Sequence, residues 1–282
     1  MRIRRVLLLC LAVLRPIPLL SHGDAHVQIL DLTRQIEREP GKAELYFKRG
    51  ELHRAHGLWD AALADFDRVA ALDPRLEIVD LARGRLFLEA DWPLSARIAL
   101  DRYLSRQTND VEALVTRARV LVKLQQPLLA VQDYSRAIAF AADSRPELYL
   151  ERAQVLTAEG GPLLEEALRG LEEGIKKLGP LVTLQLYALD VELKQKRFDA
   201  ALARLDRLAE QFPRKETWLA RRGEILQQAG RRAEAREAFK AALKAIAALP
   251  ASRRQVPAMI ELDKRVRLAL DQLANAEREK IQ

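Results

Sequence analysis

The chain has 282 residues, 49% of them apolar and 31% charged, with a formal net charge of +7 and a single cysteine. That balance belongs to an ordered chain and excludes a disordered one, and a lone Cys10 excludes a disulfide framework or a cysteine-based metal knuckle. Ala and Leu dominate while β-branched residues are sparse, a composition that forms helices.

The N-terminus, MRIRRVLLLCLAVLRPIPLLSHGD, sets Arg2, Arg4 and Arg5 before an apolar run from Val6 to Leu14, followed by Pro16 and Pro18. This is the layout of an export signal over residues 1–21, with cleavage expected near Ser21 and His22. Arg15 departs from it by putting a charge beside the apolar run. The run is too short to span a bilayer as a helix, and the alternative is an uncleaved N-terminal anchor. Cys10, preceded by Leu9, reads as one more apolar residue of the run. Removing residues 1–21 takes away Arg2, Arg4, Arg5 and Arg15 and leaves 43 basic against 40 acidic residues, a net +3. The basic character is therefore largely that of the leader and makes no case for nucleic acid. The expected location is the periplasm or the exterior, with no integral membrane domain after signal removal.

Next, HVQILDLTRQIERE (26–39) places Val27, Leu30 and Ile36 near one face before Pro40, a short helix within residues 22–42 that reads as an N-terminal half-repeat (the second helix of a truncated repeat) or a capping helix. The stretch GLWDAALADFDRVAALDP (57–74) has a helix start near Asp60, apolar residues at Ala62, Leu63, Phe66, Val69 and Leu72 on helical spacing, and Pro74 to stop it. Its pattern recurs. The pairs Ala62/Phe66, Ala96/Leu100, Ala130/Tyr134, Ala167/Leu171, Ala201/Leu205 and Ala235/Phe239 have alanines 34, 34, 37, 34 and 34 residues apart. A second series marks the helices that precede them: Gly50, Gly84, Ala118, Ala153, Ala188 and Gly223, spaced 34, 34, 35, 35 and 35. In each helix a Gly or Ala lets its partner approach, and the bulky residue one turn on fills the gap.

On these residues the chain resembles a tetratricopeptide repeat (TPR) protein, whose unit is a 34-residue helix–turn–helix. Tyr46, Gly50, His53, Gly57, Ala62, Phe66 and Pro74 fall on the family's characteristic positions in the first repeat, with His53 where an aromatic is usual. The sixth supplies Gly223, Leu226, Gly230, Ala235, Phe239 and Ala242. The middle repeats depart from the pattern: Leu100 replaces the aromatic, no proline follows near Thr108, Gly160, Gly161 and Pro162 lengthen a turn, and Lys196 stands where a turn glycine is usual. The resemblance implies an all-α fold, a right-handed superhelical solenoid of antiparallel helix pairs (an alpha-alpha superhelix). The six repeats run approximately over 43–76, 77–110, 111–145, 146–180, 181–214 and 215–250. Pro74, Pro180, Pro213 and Pro250 end second helices. No true domain boundary is expected, the softest point being Ala158 to Leu164. The amphipathic stretch from Pro257 to Lys280, with Ile260, Leu262, Val266, Leu270 and Leu273, reads as a capping helix within 251–282. A dimerising or membrane-surface helix is the alternative there.

Arg49, Arg83, Arg117, Arg152 and Arg222 each precede the small residue of a first helix, and the fifth repeat has Tyr187 instead. With Asp65 and Asp133 in the second helices, these arginines read as ion pairs of the scaffold, since such pairing consumes the guanidinium donors. A ladder of anion-binding arginines is the rival reading. Family resemblance implies that a partner lies along a concave face lined by first helices. By repeat phase its candidates are Glu44, Phe47, Glu51 and Arg54, then Leu81, Arg85, Leu88 and Glu89. The third and fourth repeats contribute Val115, Arg119, Val122 and Lys123, then Leu150, Gln154 and Thr157. Mixed apolar and charged groups suit a protein segment with a few apolar anchors.

His22, His26, His53 and His56 cluster in the first fifth of the chain and could serve copper, nickel or zinc, although His53 occupies a core position of its repeat. No nucleotide-loop, nucleophile-elbow or zincin motif is present. Trp59, Trp92 and Trp218 are isolated, without the basic stripe of a single-strand binder, and Arg253 and Arg254 make no patch. The chain is thus expected to be a non-enzymatic adaptor that needs no cofactor and binds a protein or peptide through the concave face. The rivals are an N-terminal-histidine metal-binding or sensing protein and an accessory subunit of an enzyme or secretion complex. The C-terminal helix leaves room for a homo-oligomer.

Overall fold

A computed structural model describes residues 22–143, 145–212 and 214–278. The export signal, Cys10 and Pro213 lie outside the described residues, which contain helices and no strand. The helices are α1 (His22–Arg38), α2 (Ala43–Ala55), α3 (Trp59–Leu72), α4 (Ile78–Glu89), α5 (Pro93–Leu104), α6 (Val111–Lys123), α7 (Pro127–Phe140), α8 (Pro146–Glu159) and α9 (Leu163–Leu178). They continue with α10 (Val182–Lys194), α11 (Phe198–Gln211), α12 (Lys215–Gln228), α13 (Arg232–Ala247), α14 (Ala251–Arg254) and α15 (Pro257–Arg278). The fold is all-α, built of stacked antiparallel helix pairs.

Turn chemistry makes the pairs. Five first helices end on a left-handed residue: Gly57 (φ 71°), Asp91 (61°), Gln125 (56°), Lys196 (58°) and Gly230 (75°). The next amide then reaches back to the last helical turn, as in Leu58 N to His53 O (2.9 Å), Trp92 N to Phe87 O (2.7 Å) and Arg197 N to Glu192 O (2.9 Å). This closure satisfies carbonyls at the helix end and reverses the chain within three residues. Lys196 adopts the conformation of the glycine it replaces.

The chain divides into two compact units, one running to Ala99 and the other starting at Leu100. The long turn at Ala158 to Leu164, expected to be the soft point, lies inside the second unit. In the first unit α2 packs on α3 and α3 on α4, around Ala62, Phe66, Val69, Val79, Ala82 and Leu86. α1 lies on α2 with Ile36 buried, but Val27 and Leu30 are 65% and 58% exposed. The expected apolar face of α1 is therefore rotated. Ile29, Leu32, Thr33 and Ile36 are among the covered or half-covered residues, because that i, i+3, i+4, i+7 stripe meets α2.

In the second unit the pairs α6/α7, α8/α9, α10/α11 and α12/α13 stack in chain order, and α15 closes on α13 and α12. Leu262, Val266 and Leu273 of α15 are buried in a core shared with Leu226, Phe239 and Ile246.

Both periodic series are interior. Ala62, Ala96, Ala130, Ala167, Ala201 and Ala235 are all 0% exposed, and Phe66, Leu100, Tyr134, Leu171, Leu205 and Phe239 are at most 2% exposed. The distance between paired helices is set where a first-helix glycine meets a second-helix ring. A Cβ placed on Gly50 would lie 2.7 Å from Phe66 Cε1, and one on Gly223 would lie 2.5 Å from two atoms of Phe239. Gly223→Ala is thus expected to destabilise the protein by about 1–3 kcal/mol through overpacking. Gly41, with nothing within 4 Å of its would-be Cβ, is the control. Chemical denaturation of both variants checks this, and equal midpoints would contradict the packing described.

Candidate functional site

Next to each small residue of the first helices stands the arginine noted above, and its position at the seam decides what it does. Arg117 in α6 donates to Asp133 of α7 through Nε (2.7 Å) and Nη2 (2.8 Å), and to Asp101 of α5 through Nη1 (2.8 Å). Arg49 repeats the geometry, with Asp65 at 2.9 and 2.7 Å and Thr33 of α1 at 3.0 Å. Each guanidinium therefore joins three helices: its own, the second helix 16 residues ahead and the preceding second helix 16 residues behind. The other arginines keep the backward arm. Arg83 binds Asp67, Arg152 reaches Ser135 at 3.3 Å and Arg222 binds Asp206. Arg152 also reaches forward, to Glu173 of α9 at 3.1 Å, and Gly170 makes room for it: a Cβ there would lie 2.6 Å from Arg152 Nη2. The arginines are scaffold ion pairs, as expected, and not a row of open anion sites.

The fifth repeat inverts the arrangement. Tyr187 takes the arginine's place in α10, and the guanidinium comes from the other side, from Arg204 of α11. Arg204 is 4% exposed and donates to Glu192 (3.0 and 2.7 Å), to Gln185 (2.7 Å) and to Glu172 of α9. Glu192 is equally buried. Burial works against the Arg204 charge, but the bonds to Glu192 and Glu172 outweigh it and raise its pKa.

The exposed side of the first helices is where a partner was expected. In the second unit α6 and α8 are tied there by Arg119, which holds Glu151 bidentately at 2.9 and 2.7 Å while the Tyr134 hydroxyl donates to Glu151 at 2.8 Å. Burial alone would raise the Glu151 pKa, yet the bonds from Arg119 and Tyr134 hold it below its ordinary value of 4.5. Further along, a pocket of about 420 Å³ is bounded by Thr157 of α8, Tyr187, Asp190 and Lys194 of α10, and Gln228 of α12. The Thr157 hydroxyl is buried with no hydrogen-bond partner. Arg221 bridges α12 to Asp190 at 3.0 Å. In the first unit Arg54 holds Glu51 at 3.1 Å and also Glu89 of α4, and a pocket of about 620 Å³ opens beside Phe47, Glu51 and Arg54.

These placements refine the candidate set. Val122, Arg119, Lys123, Gln154, Glu44 and Glu89 are exposed, while Phe47, Glu51, Arg54, Arg85, Leu88 and Leu150 are half-buried. Leu81 and Val115 are a correction: at 2% and 1% exposure they belong to the interior and cannot line an open face. Both stand three residues before the small residue, where the close helix packing it permits covers an aliphatic side chain. Phe47 packs on Phe66, ring centroids 5.9 Å apart, so its ring serves as a wall. Thr157 is buried as well. Sequence reading missed Tyr187, Asp190, Lys194 and Gln228, and the break in the arginine series at Tyr187 was the one available signal.

The histidines separate. His53 turns toward Asp65 with Nδ1 3.6 Å from the carboxylate, too long for a hydrogen bond, whereas His26 and His56 border a cleft of about 340 Å³. Among the described residues no group of three or more His, Cys, Asp or Glu is placed to hold a metal ion. No helix among them is long and apolar enough to cross a membrane.

Known proteins agree with this architecture. Residues 163–259 match the family described as tetratricopeptide repeat-like domain, and residues 30–77 match tetratricopeptide repeat. Helix pairing, period and both matches establish that the chain belongs to the tetratricopeptide repeat family. Among solved structures it is similar to YrrB, a TPR protein with an unusual peptide-binding site (22% identity, TM-score 0.53, 64% of this chain and 92% of that one). It is also similar to a tetratricopeptide repeat protein from Parabacteroides merdae (18%, 0.53, 86% and 93%) and to PilW, a type IV pilus biogenesis factor (18%, 0.55, 68% and 87%). At such identities the likeness is one of fold. No curated protein matches the chain in sequence. The fold is generally a protein–protein interaction module and is consistent with a non-catalytic role.

The buried charges yield two expectations. Arg204→Leu leaves Glu192 buried and unpaired and should cost about 3–5 kcal/mol, whereas Arg204→Leu combined with Glu192→Leu should recover most of that loss. A double-mutant cycle by denaturation checks it, and additive losses would contradict the pairing. Glu151 has a depressed pKa, so its contribution to stability is complete above pH 4.5 and is lost as pH falls through its folded value. Glu151→Gln should therefore flatten part of the acid limb of the stability–pH curve below pH 4.5, measured by thermal melts across that range.

Proposed function

We propose that the protein is a non-enzymatic adaptor that binds a protein segment along the exposed side of its first helices. In the second unit these residues are Val122, Lys123 and Gln154, together with the pocket around Tyr187 and Lys194. The observation that carries the reading is this pocket, with the unpartnered Thr157 hydroxyl at its edge. A buried hydroxyl without a partner is unfavourable until something supplies one. The main charges of the face, Arg119 with Glu151 and Arg221 with Asp190, already pair with each other. Recognition therefore rests on apolar anchors and hydrogen bonds, and charge steering contributes little. The organisation behind this reading is a truncated repeat over 22–42, six repeats over 43–250 and a cap over 251–282, in a chain exported by residues 1–21.

The test is capture of partners from the native host's periplasmic or secreted fraction, where the protein should begin close to His22. Val122→Glu combined with Tyr187→Ala should reduce recovery of the wild-type partners at least about tenfold while the melting temperature is kept. Equal recovery by a folded variant would reject the face. A mature chain beginning at Met1 in the cytosol would reject export.

A further inference from the structure

α1 occupies the place of a second helix, and among the described residues no first helix precedes it. Shifting the first complete repeat back by its 34-residue period puts Gln28 on Ala62, Asp31 on Asp65, Leu32 on Phe66 and Thr33 on Asp67. Thr33 does what Asp67 does, receiving the backward arm of the next arginine, Arg49, at 3.0 Å. Asp31 is different. Its counterparts Asp65 and Asp133 each hold the guanidinium of their own first helix through two hydrogen bonds. Asp31 is exposed, accepts a hydrogen bond from Gln35 at 2.9 Å and, among the described residues, meets no such arginine. It borders the 620 Å³ pocket together with Gln28, Leu32, Phe47 and Leu52. Those are residues of α1 and α2, the two helices between which a first helix of the truncated repeat would lie.

We propose that this pocket receives one α-helix of a partner protein, carrying Arg followed by Gly or Ala, which completes the truncated repeat in trans. The chemistry of the occupant follows from the complete repeats. Their first helices are 12–14 residues long, and all but the fifth carry the pair, as Arg49–Gly50, Arg83–Gly84, Arg117–Ala118, Arg152–Ala153 and Arg222–Gly223. The small residue faces Leu32 as Gly50 faces Phe66, while the arginine reaches Asp31 as Arg49 reaches Asp65. A bidentate guanidinium–carboxylate pair supplies geometry as well as energy. Leu32, Phe47 and Leu52 offer the apolar floor against which an amphipathic helix lies. The chain's own upstream sequence carries Arg15 at the counterpart of Arg49, but Pro16 stands where the small residue is required, and Pro16 and Pro18 in the second half of the counterpart of α2 (9–21) oppose a continuous helix. The inference deepens the proposed reading in the first unit, since Phe47, Glu51 and Arg54 of the first-helix face also line this pocket, and it goes beyond that reading by naming the occupant.

The probe is a synthetic peptide with the sequence of residues 43–55, AELYFKRGELHRA, tested by calorimetry against the full chain and against a chain beginning at His22. Both chains are expected to bind it. Asp31→Arg and, separately, Arg49→Glu in the peptide should each weaken binding about tenfold, and the two reversals together should restore affinity to within about threefold. Asp31→Asn serves as the milder variant, with melting temperature as the control of folding. Val122→Glu combined with Tyr187→Ala should leave peptide binding unchanged, which separates this pocket from the first-helix face of the second unit. Absence of binding to both chains, or indifference to Asp31, overturns the proposal. Binding only by the chain beginning at His22 overturns it in favour of the upstream residues as occupant. Self-association abolished by Asp31→Arg overturns it in favour of a second copy.

Discussion

The close approach of a first helix to its second helix, at a residue without a side chain or with only a methyl, is the constraint on which the molecule depends. Gly50 under Phe66 and Gly223 under Phe239 leave no room for another carbon. At that separation the rings are fully enclosed, each contributing about 1.5–3 kcal/mol of transfer free energy. The same separation puts the neighbouring arginine within hydrogen-bonding reach of acceptors on the adjoining second helices, two of them for Arg49 and Arg117. A wider spacing would lose both the enclosure of the rings and the three-helix reach of the guanidinium. One small residue per repeat therefore sets both the apolar and the ionic contacts of the seam.

The ionic contacts are better read as alignment than as net stabilisation. Asp65 and Asp133 are 3% exposed and Glu192 is 4% exposed, so each would be strongly unfavourable without its guanidinium, yet replacing a whole buried pair with apolar residues can be neutral. What the pair enforces is register, because a helix displaced by one turn would leave two buried charges without partners. The exposed pairs that tie first helices together, such as Arg54 to Glu89 and Arg119 to Glu151, contribute little individually. Their effect is to neutralise the face between them, which in the proposed reading leaves recognition to Val122, Gln154, Tyr187 and the Thr157 hydroxyl.

Much of this was legible in the sequence, because helical period and steric size are local properties. Both small-residue series proved interior, and the arginines proved to be paired with Asp65 and Asp133. Lys196 took the left-handed turn conformation of the glycine it replaces. What escaped depends on side-chain reach and on which neighbour covers a given position. Leu81 and Val115 share the phase of Phe47 but lie deeper, and Val27 and Leu30 face outward because the stripe of α1 that meets α2 is one residue out of step with them. The backward arms to Thr33, Asp67, Asp101, Ser135 and Asp206 obey the same spacing of 16 or 17 residues as the rest of the array. They are visible only once the helix that receives each arm is known. Arg204 could not be recognised as a structural charge, since at its position other repeats carry an acid or a small residue.

The inverted polarity of the fifth repeat also bears on how such an array can be rearranged by recombination. An exchange that joined α2 to α11 would set Arg49 against Arg204, and one that joined α10 to α3 would enclose Glu192 beside Asp65. Either chimera would trap two like charges in a dry seam, at a loss of several kcal/mol. Exchanges in the loops between whole repeats keep each pair intact. Breakpoints that involve the fifth repeat are thus confined to its boundaries, and it can be gained or lost as a block but not spliced.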